Sequence, residues 1–202
     1  MAEAFGINGK KSSLFFTFVE ILEHVKALNP NVLFLQENVG SASKLDVGIM
    51  SRALGVYPVR INSSLVTAQL RDRYYWSNIR TKETMFDLVT DIPQPKDKGI
   101  IFKDIITGGE VEINKHTCLN TGSGTTEKAS QRYLKHRNET TGMITLIQEN
   151  EIVRTVNQTE MERLQGFPDG YTSILTTAKA GSLLGDGWTL PIIEHIFTFI
   201  NK

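Results

Sequence analysis

Apolar residues at Leu14, Phe18, Ile21, Leu22, Val25 and Leu28 recur at helical spacing, with Glu20, Glu23 and Lys26 between them. The pattern predicts a helix over 12–28, capped by Ser12 or Ser13 and ended by Asn29-Pro30. The unbroken apolar run Val32–Leu35 then predicts a short, fully buried strand of the kind a parallel sheet uses. A second helix is expected over Ser43–Leu54, closed by Gly55, with further strands at Val59–Asn62 and Tyr74–Ile79. This order of strand, helix and strand predicts an α/β fold.

The pattern loosens after Arg80. Prolines and glycines punctuate residues 81–153, and short apolar pieces such as Ile100–Phe102 and Met143–Ile147 lie between them. This stretch reads as an insertion of irregular, partly β structure. Regularity returns at Asn157, which can cap a helix with Glu160 completing the capping box. That helix is expected to reach about Leu164, with Glu160 and Arg163 paired at i, i+3, and to stop at Gly166-Phe167-Pro168. A last helix follows Pro191 and should bury Ile192, Ile193, Ile196, Phe197 and Ile200.

With 202 residues, 40% of them hydrophobic, the chain can bury a core for one domain with an inserted subdomain. Its 22 basic residues balance its 22 acidic ones, so any nucleic-acid contact has to come from a local patch. The densest such patch is Lys128, Arg132, Tyr133, Lys135, His136 and Arg137; read without context, it is equally a solvated charged loop. The single cysteine, Cys118, excludes a disulfide framework and a cysteine-rich zinc site, and suits a reducing cytoplasm. No apolar leader or membrane-length run is present, so a cytoplasmic chain without a membrane partner is expected.

Chemistry enters at Glu37-Asn38-Val39, where the apolar run ends on a carboxylate. Glu37 is either a solvated turn residue or an acid delivered to a site beyond a strand end. Gln69-Leu70-Arg71-Asp72-Arg73 follows about thirty residues later. Then come RLQGFPDGYT (163–172) and LLGDGWTLP (183–191). This ordered set resembles the DNA (cytosine-5) methyltransferases, over about residues 12–80 and 154–200. The YYW after the arginine pair and the GWTLPIIEHIF ending look most similar to the animal de novo branch.

The resemblance implies the C-terminal part of a Rossmann-like fold that uses S-adenosylmethionine. Residues 1–80 would belong to the catalytic core, 81–153 to a target-recognition region, and 154–202 to helices completing the core. It assigns Glu37 as the acid that hydrogen-bonds cytosine N3, with Asn38 and Val39 shaping the pocket. A carboxyl group desolvated at a strand tip suits that task. Arg73 would reach the O2 of an extruded base, and Arg71 the phosphate or pocket wall. Gly185, Asp186, Gly187 and Trp188 align with the family's cofactor-touching motif, although Asp186 stands where the family has Asn. Gln69, Lys128, Arg132, Lys135 and Arg137 are the candidates for contact with double-stranded DNA.

The family's Pro-Cys nucleophile and glycine-rich cofactor loop have no counterpart here, and Cys118 lies in HTCLNTG, without the proline. The expectation is a chain that, by itself, neither methylates DNA nor holds S-adenosylmethionine tightly. It would work with a complementing N-terminal chain, or self-associate through the strand and helix faces left bare. A non-catalytic DNA-binding or regulatory module is the alternative of another class. A remnant of a phage or mobile-element gene is a third reading.

Overall fold

The computed structural model describes residues 14–141 and 144–200. The expected caps Ser12 and Ser13, and Met143 at the start of one expected strand, lie outside the described residues. The chain forms two compact units from interleaved segments. The first comprises residues 14–61, 72–94 and 196–200; the second comprises 62–71 and 95–195.

In the first unit, helix α1 (Leu14–Leu28) precedes strand β1 (Leu35–Val39), helix α2 (Lys44–Leu54) and strands β2 (Val59–Asn62) and β3 (Asp72–Ser77). Ser43 caps α2 by accepting from the Asp46 N–H at 3.0 Å, and Gly55 closes it at φ 73°. The sheet order is β1-β3-β2, which leaves β1 at an edge. β1 runs antiparallel to β3, from Leu35 opposite Ser77 to Val39 opposite Arg73. The strand is not Val32–Leu35 in a parallel pair but begins where that apolar run ends, so Glu37 lies at the middle of a strand. The reason is Asn78, whose side chain donates to the Val32 carbonyl and accepts from the Phe34 N–H, both at 2.8 Å. Ser77 Oγ donates to the Phe34 carbonyl at 2.6 Å. Side chains thus hold residues 32–34, and ladder pairing starts at Leu35.

Alternation along the strands sends Asn38 to one face of the sheet and Glu37 to the other. Tyr74 and Trp76 join Leu22, Phe34, Met50, Leu54 and Val56 in the core built with α1 and α2. Trp76 donates its indole N–H to Ser51 Oγ at 2.9 Å. On α1, Leu22 is buried, and Phe15 and Phe18 lie partly buried against this core. Leu14, Ile21 and Leu28 are exposed instead. Strands β4 (Thr81–Glu83) and β5 (Leu88–Thr90) make a separate hairpin.

The second unit holds helix α3 (Gln131–Thr141), the hairpin of β6 (Ile147–Glu149) and β7 (Ile152–Arg154), and helices α4 (Gln158–Gln165) and α5 (Thr177–Asp186). Helix α6 (Leu190–Phe197) begins in it. Its core gathers Phe102, Ile105, Leu119, Ile147, Met161 and Leu164. The stretch Ile100–Phe102 is no strand: Phe102 is buried and opens a single 3-10 turn. Phe197, expected inside, is 45% exposed. The capping box of Asn157 and Glu160 forms as expected, and Gly166 ends α4 at φ 79°. Glu160 does not pair with Arg163. It is taken by Arg154, at 2.8 and 3.0 Å, while Arg163 reaches forward to Asp169 at 2.6 Å.

Candidate active site and closing segment

Glu37 and Arg73 face each other on the side of the sheet away from the aromatic core. Arg73 Nε lies 2.9 Å from Glu37 Oε1, and their side chains are 13% and 16% exposed for Arg73 and Glu37 respectively. The register explains the pairing: Glu37 is opposite Tyr75, so Arg73, two residues along, shares its face as the diagonal neighbour. Arg73 also donates to the Asp72 carbonyl at 2.9 Å. Neither residue is the solvated edge group that each allows when taken in isolation. Asn38 turns to α2, with its amide 3.2 Å from the Met50 sulfur and its Oδ1 accepting from the Val39 N–H. It shapes the bend after β1 rather than the side of the sheet that Glu37 occupies. Gly40 follows, and a Cβ there would come within 2.7 Å of the Asp72 side chain.

The second unit holds the other named residues, and two of them are deeply buried. Gln69 is fully enclosed, accepting from the Leu119 N–H at 2.8 Å and donating to the Leu164 carbonyl at 3.1 Å. Its amide is consumed inside the protein, which corrects its expected place at the DNA. Arg71 is 3% exposed. Its guanidinium donates to the carbonyls of Leu119, Gly185 and Gly187 and to Cys118 Sγ, at 2.8–3.4 Å. This is a bracket on the closing segment rather than a group presented to phosphate.

Gly185 and Asp186 form the last turn of α5, with Gly187 capping it by donating to the Leu183 carbonyl. Gly185 is glycine for a packing reason: a Cβ would lie 2.4 Å from the Asn120 backbone. Of the four candidate cofactor residues, only the side chains of Asp186 and Trp188 are exposed. Lys128, Arg132, Lys135 and Arg137 are all exposed as well, the last three on α3, where a loop was the alternative. Leu134 is the buried anchor of that helix, and Arg137 donates to Tyr133 Oη at 2.9 Å.

Sequence reasoning missed Arg154, which donates to Glu160, to the Gly108 carbonyl and to Glu149. An arginine inside the apolar run Ile152–Val156 was the signal that could have found it. Burial opposes the Glu160 charge, but the hydrogen bonds from Arg154 and from the Thr107 and Asn157 N–H groups outweigh it. They hold this carboxyl below the usual range. Burial has the opposite outcome at His116, pushing its pKa down to about 4.

No family model matches the sequence. Among solved structures, the chain resembles the Dnmt2 methyltransferase of S. pombe. The TM-score is 0.55 and the identity 15%, over 92% of this chain and 71% of that one. The chain has the α/β fold of a methyltransferase. The Entamoeba histolytica methyltransferase EhMeth matches at a TM-score of 0.44 and 13% identity, over 89% of this chain and 57% of that one. Among the described residues, no helix is long and apolar enough to cross a membrane, and no cluster of metal-ligating side chains occurs.

Proposed function

We propose that these residues form the acid-bearing and target-recognising part of a DNA (cytosine-5) methyltransferase. The observation that carries the reading is the Glu37–Arg73 pair, set side by side on one sheet face in a methyltransferase fold. Glu37 hydrogen-bonds N3 of an extruded cytosine, drawing electrons from the ring and making C6 electrophilic. To do so it must carry a proton, so the Arg73 contact opens as the base arrives. The Arg73 guanidinium then serves the base O2, a role that suits its fixed fork of donors.

In this reading, the nucleophile and the rest of the cofactor site come from a complementing chain. Cys118 already donates to the Leu119 carbonyl and lies against Arg71. S-adenosylmethionine supplies the methyl group when bound. Asp186 fits its ammonium as an acceptor and Trp188 offers an apolar face, whereas the Gly185 and Gly187 carbonyls are already taken by Arg71. Of the four candidate residues, Asp186 and Trp188 are the two whose side chains are exposed to meet the cofactor.

The test is co-expression with the coding sequence that precedes this one in its natural locus, followed by transfer of tritiated methyl to duplex DNA. Transfer that needs both parts and disappears with Glu37→Gln is expected. A folded complex that transfers methyl equally well with Glu37→Gln overturns the reading.

A further inference from the structure

A cavity of about 60 Å³ opens within the second unit, away from Glu37 in the sequence and unused by the chemistry above. It is lined by segments around residues 116–126, by Arg137 of α3, and by residues 144–145 and 155–156. Its volume exceeds that of one water and accommodates a small cluster of waters or a compact polyatomic ion.

The lining is polar in one sense. Ser123, Thr126, Thr145 and Thr155 bring hydroxyls, Asn120 a carboxamide and Arg137 a guanidinium, and no lining residue is acidic. A second cation stands behind the wall: Arg71 Nη1 lies 3.3 Å from the sulfur of the lining Cys118. Arg71 is buried, and its acceptors are carbonyls and that thiol, with no carboxylate among them. A buried guanidinium with no counter-ion among the described residues leaves a positive field in its surroundings, strongest where water is excluded.

Thr155 points independently to a ligand. It is 4% exposed, lines the cavity, and its hydroxyl has no hydrogen-bond partner among the described residues. Leaving such a group unsatisfied is unfavourable, and buried polar groups in proteins are nearly always paired. Its neighbours are engaged: Thr145 Oγ1 accepts from the Thr117 N–H at 3.3 Å, and Ser123 Oγ from the Asn120 N–H at 2.9 Å. His116, also in the lining, stays neutral near pH 7, so the positive charge belongs to the arginines.

We infer that this cavity is a binding site for a phosphate group, held by Arg137 and the Thr155 hydroxyl and favoured by the field of Arg71. The phosphate comes either from a nucleic-acid backbone or as a free ion; the shared chemistry is the tetrahedral oxyanion. The inference does not depend on Glu37 or on methyl transfer.

The test uses the full chain with Arg137→Gln and Thr155→Val, the latter preserving shape while removing the hydroxyl. Binding of inorganic phosphate is measured by calorimetry and thermal shift at constant ionic strength, with chloride as control. Binding of a short duplex is followed by anisotropy in the same variants. Wild type should bind phosphate, with affinity falling about tenfold or more in Arg137→Gln and about three- to tenfold in Thr155→Val. If the variants weaken duplex binding and the duplex competes with inorganic phosphate, the source is the nucleic-acid backbone. If they weaken phosphate alone, it is the free ion. Absence of phosphate and duplex binding, or binding equal in wild type and both variants, overturns the site. Circular dichroism on Thr155→Val separates loss of binding from loss of fold, and Arg137→Gln, at an exposed position, decides the question if the valine variant misfolds.

Discussion

Arg73 and Glu37 sit on adjacent antiparallel strands, and the guanidinium Nε meets the carboxylate at 2.9 Å. The two side chains are largely withdrawn from water, yet not sealed, which places their pairing between a surface ion pair and a buried one. Removing one partner should therefore cost roughly 1–3 kcal/mol. Urea melts of Glu37→Gln, Arg73→Gln and the double variant check this, and the double variant should cost less than the two single changes added together. In the complemented methyl-transfer assay, Glu37→Gln should lower the rate about 10²- to 10⁴-fold, the usual contribution of a positioned acid. Near-additive stability losses would show that the pair is not coupled.

Gln69 and Arg71 belong to the framework. Replacing Gln69 with Leu leaves the Leu119 N–H and the Leu164 carbonyl without their partner, at a cost of roughly 1–3 kcal/mol. Arg71→Met strips donors from three carbonyls, including those of Gly185 and Gly187, and should cost roughly 2–5 kcal/mol. Denaturant midpoints measure both. A midpoint unchanged in either variant, with weakened DNA binding, would return that residue to the nucleic-acid surface.

The helices are largely legible in the sequence because capping and periodicity are local. Ser43, Gly55, Asn157 and Gly166 sit where their chemistry demands, and α2 and α4 begin and end accordingly. The strand beside Glu37 is displaced from its apolar run because its start is fixed by Asn78, 44 residues after Phe34 in the chain. The same distance problem hides Arg71, whose acceptors lie 47 to 116 residues downstream. Helix α3 reads equally as a loop because its one buried residue, Leu134, gives no apolar period. Glycines are ambiguous for another reason: Gly185 reads as a ligand turn in sequence, but the approach of Asn120 accounts for it.

Acid should destabilise the fold in two windows. His116 has a folded pKa of about 4 against an ordinary 6.5, so the unfolded chain binds the extra proton between those values. Stability is thus full above about pH 6.5 and falls as pH drops towards 4, by at most about 3 kcal/mol. Glu160 carries the opposite charge but the same trend: its folded pKa lies below the usual 4.5, so its contribution is present above that value and lost further down. Urea melts from pH 8 to pH 3.5 should show the first slope in wild type and its loss in His116→Gln. Glu160→Gln should keep that slope while lowering stability at every pH above 4.5. A His116→Gln curve parallel to wild type between pH 6.5 and 4 would refute the assignment.

Lys128 just before α3, and Arg132 and Lys135 on it, offer a basic surface for nucleic acid. Lys128, Arg132 and Lys135 are exposed, and none belongs to an ion pair among the described residues, so their charges are free to meet a polyanion. Each one that neutralises a backbone phosphate releases counterions. The logarithm of duplex affinity should then fall linearly with the logarithm of salt concentration, with a slope close to about −0.9 for each phosphate contacted. Replacing one such residue with Ala should make the slope shallower by about one and weaken all sequences alike. Stability should change by less than about 0.5 kcal/mol, because these side chains touch little. Anisotropy titrations of a short duplex across a range of salt concentrations measure the slope for Lys128→Ala, Arg132→Ala and Lys135→Ala. Three slopes identical to wild type, from folded variants, would place the DNA contact elsewhere on the chain and return α3 to the role of a solvated helix.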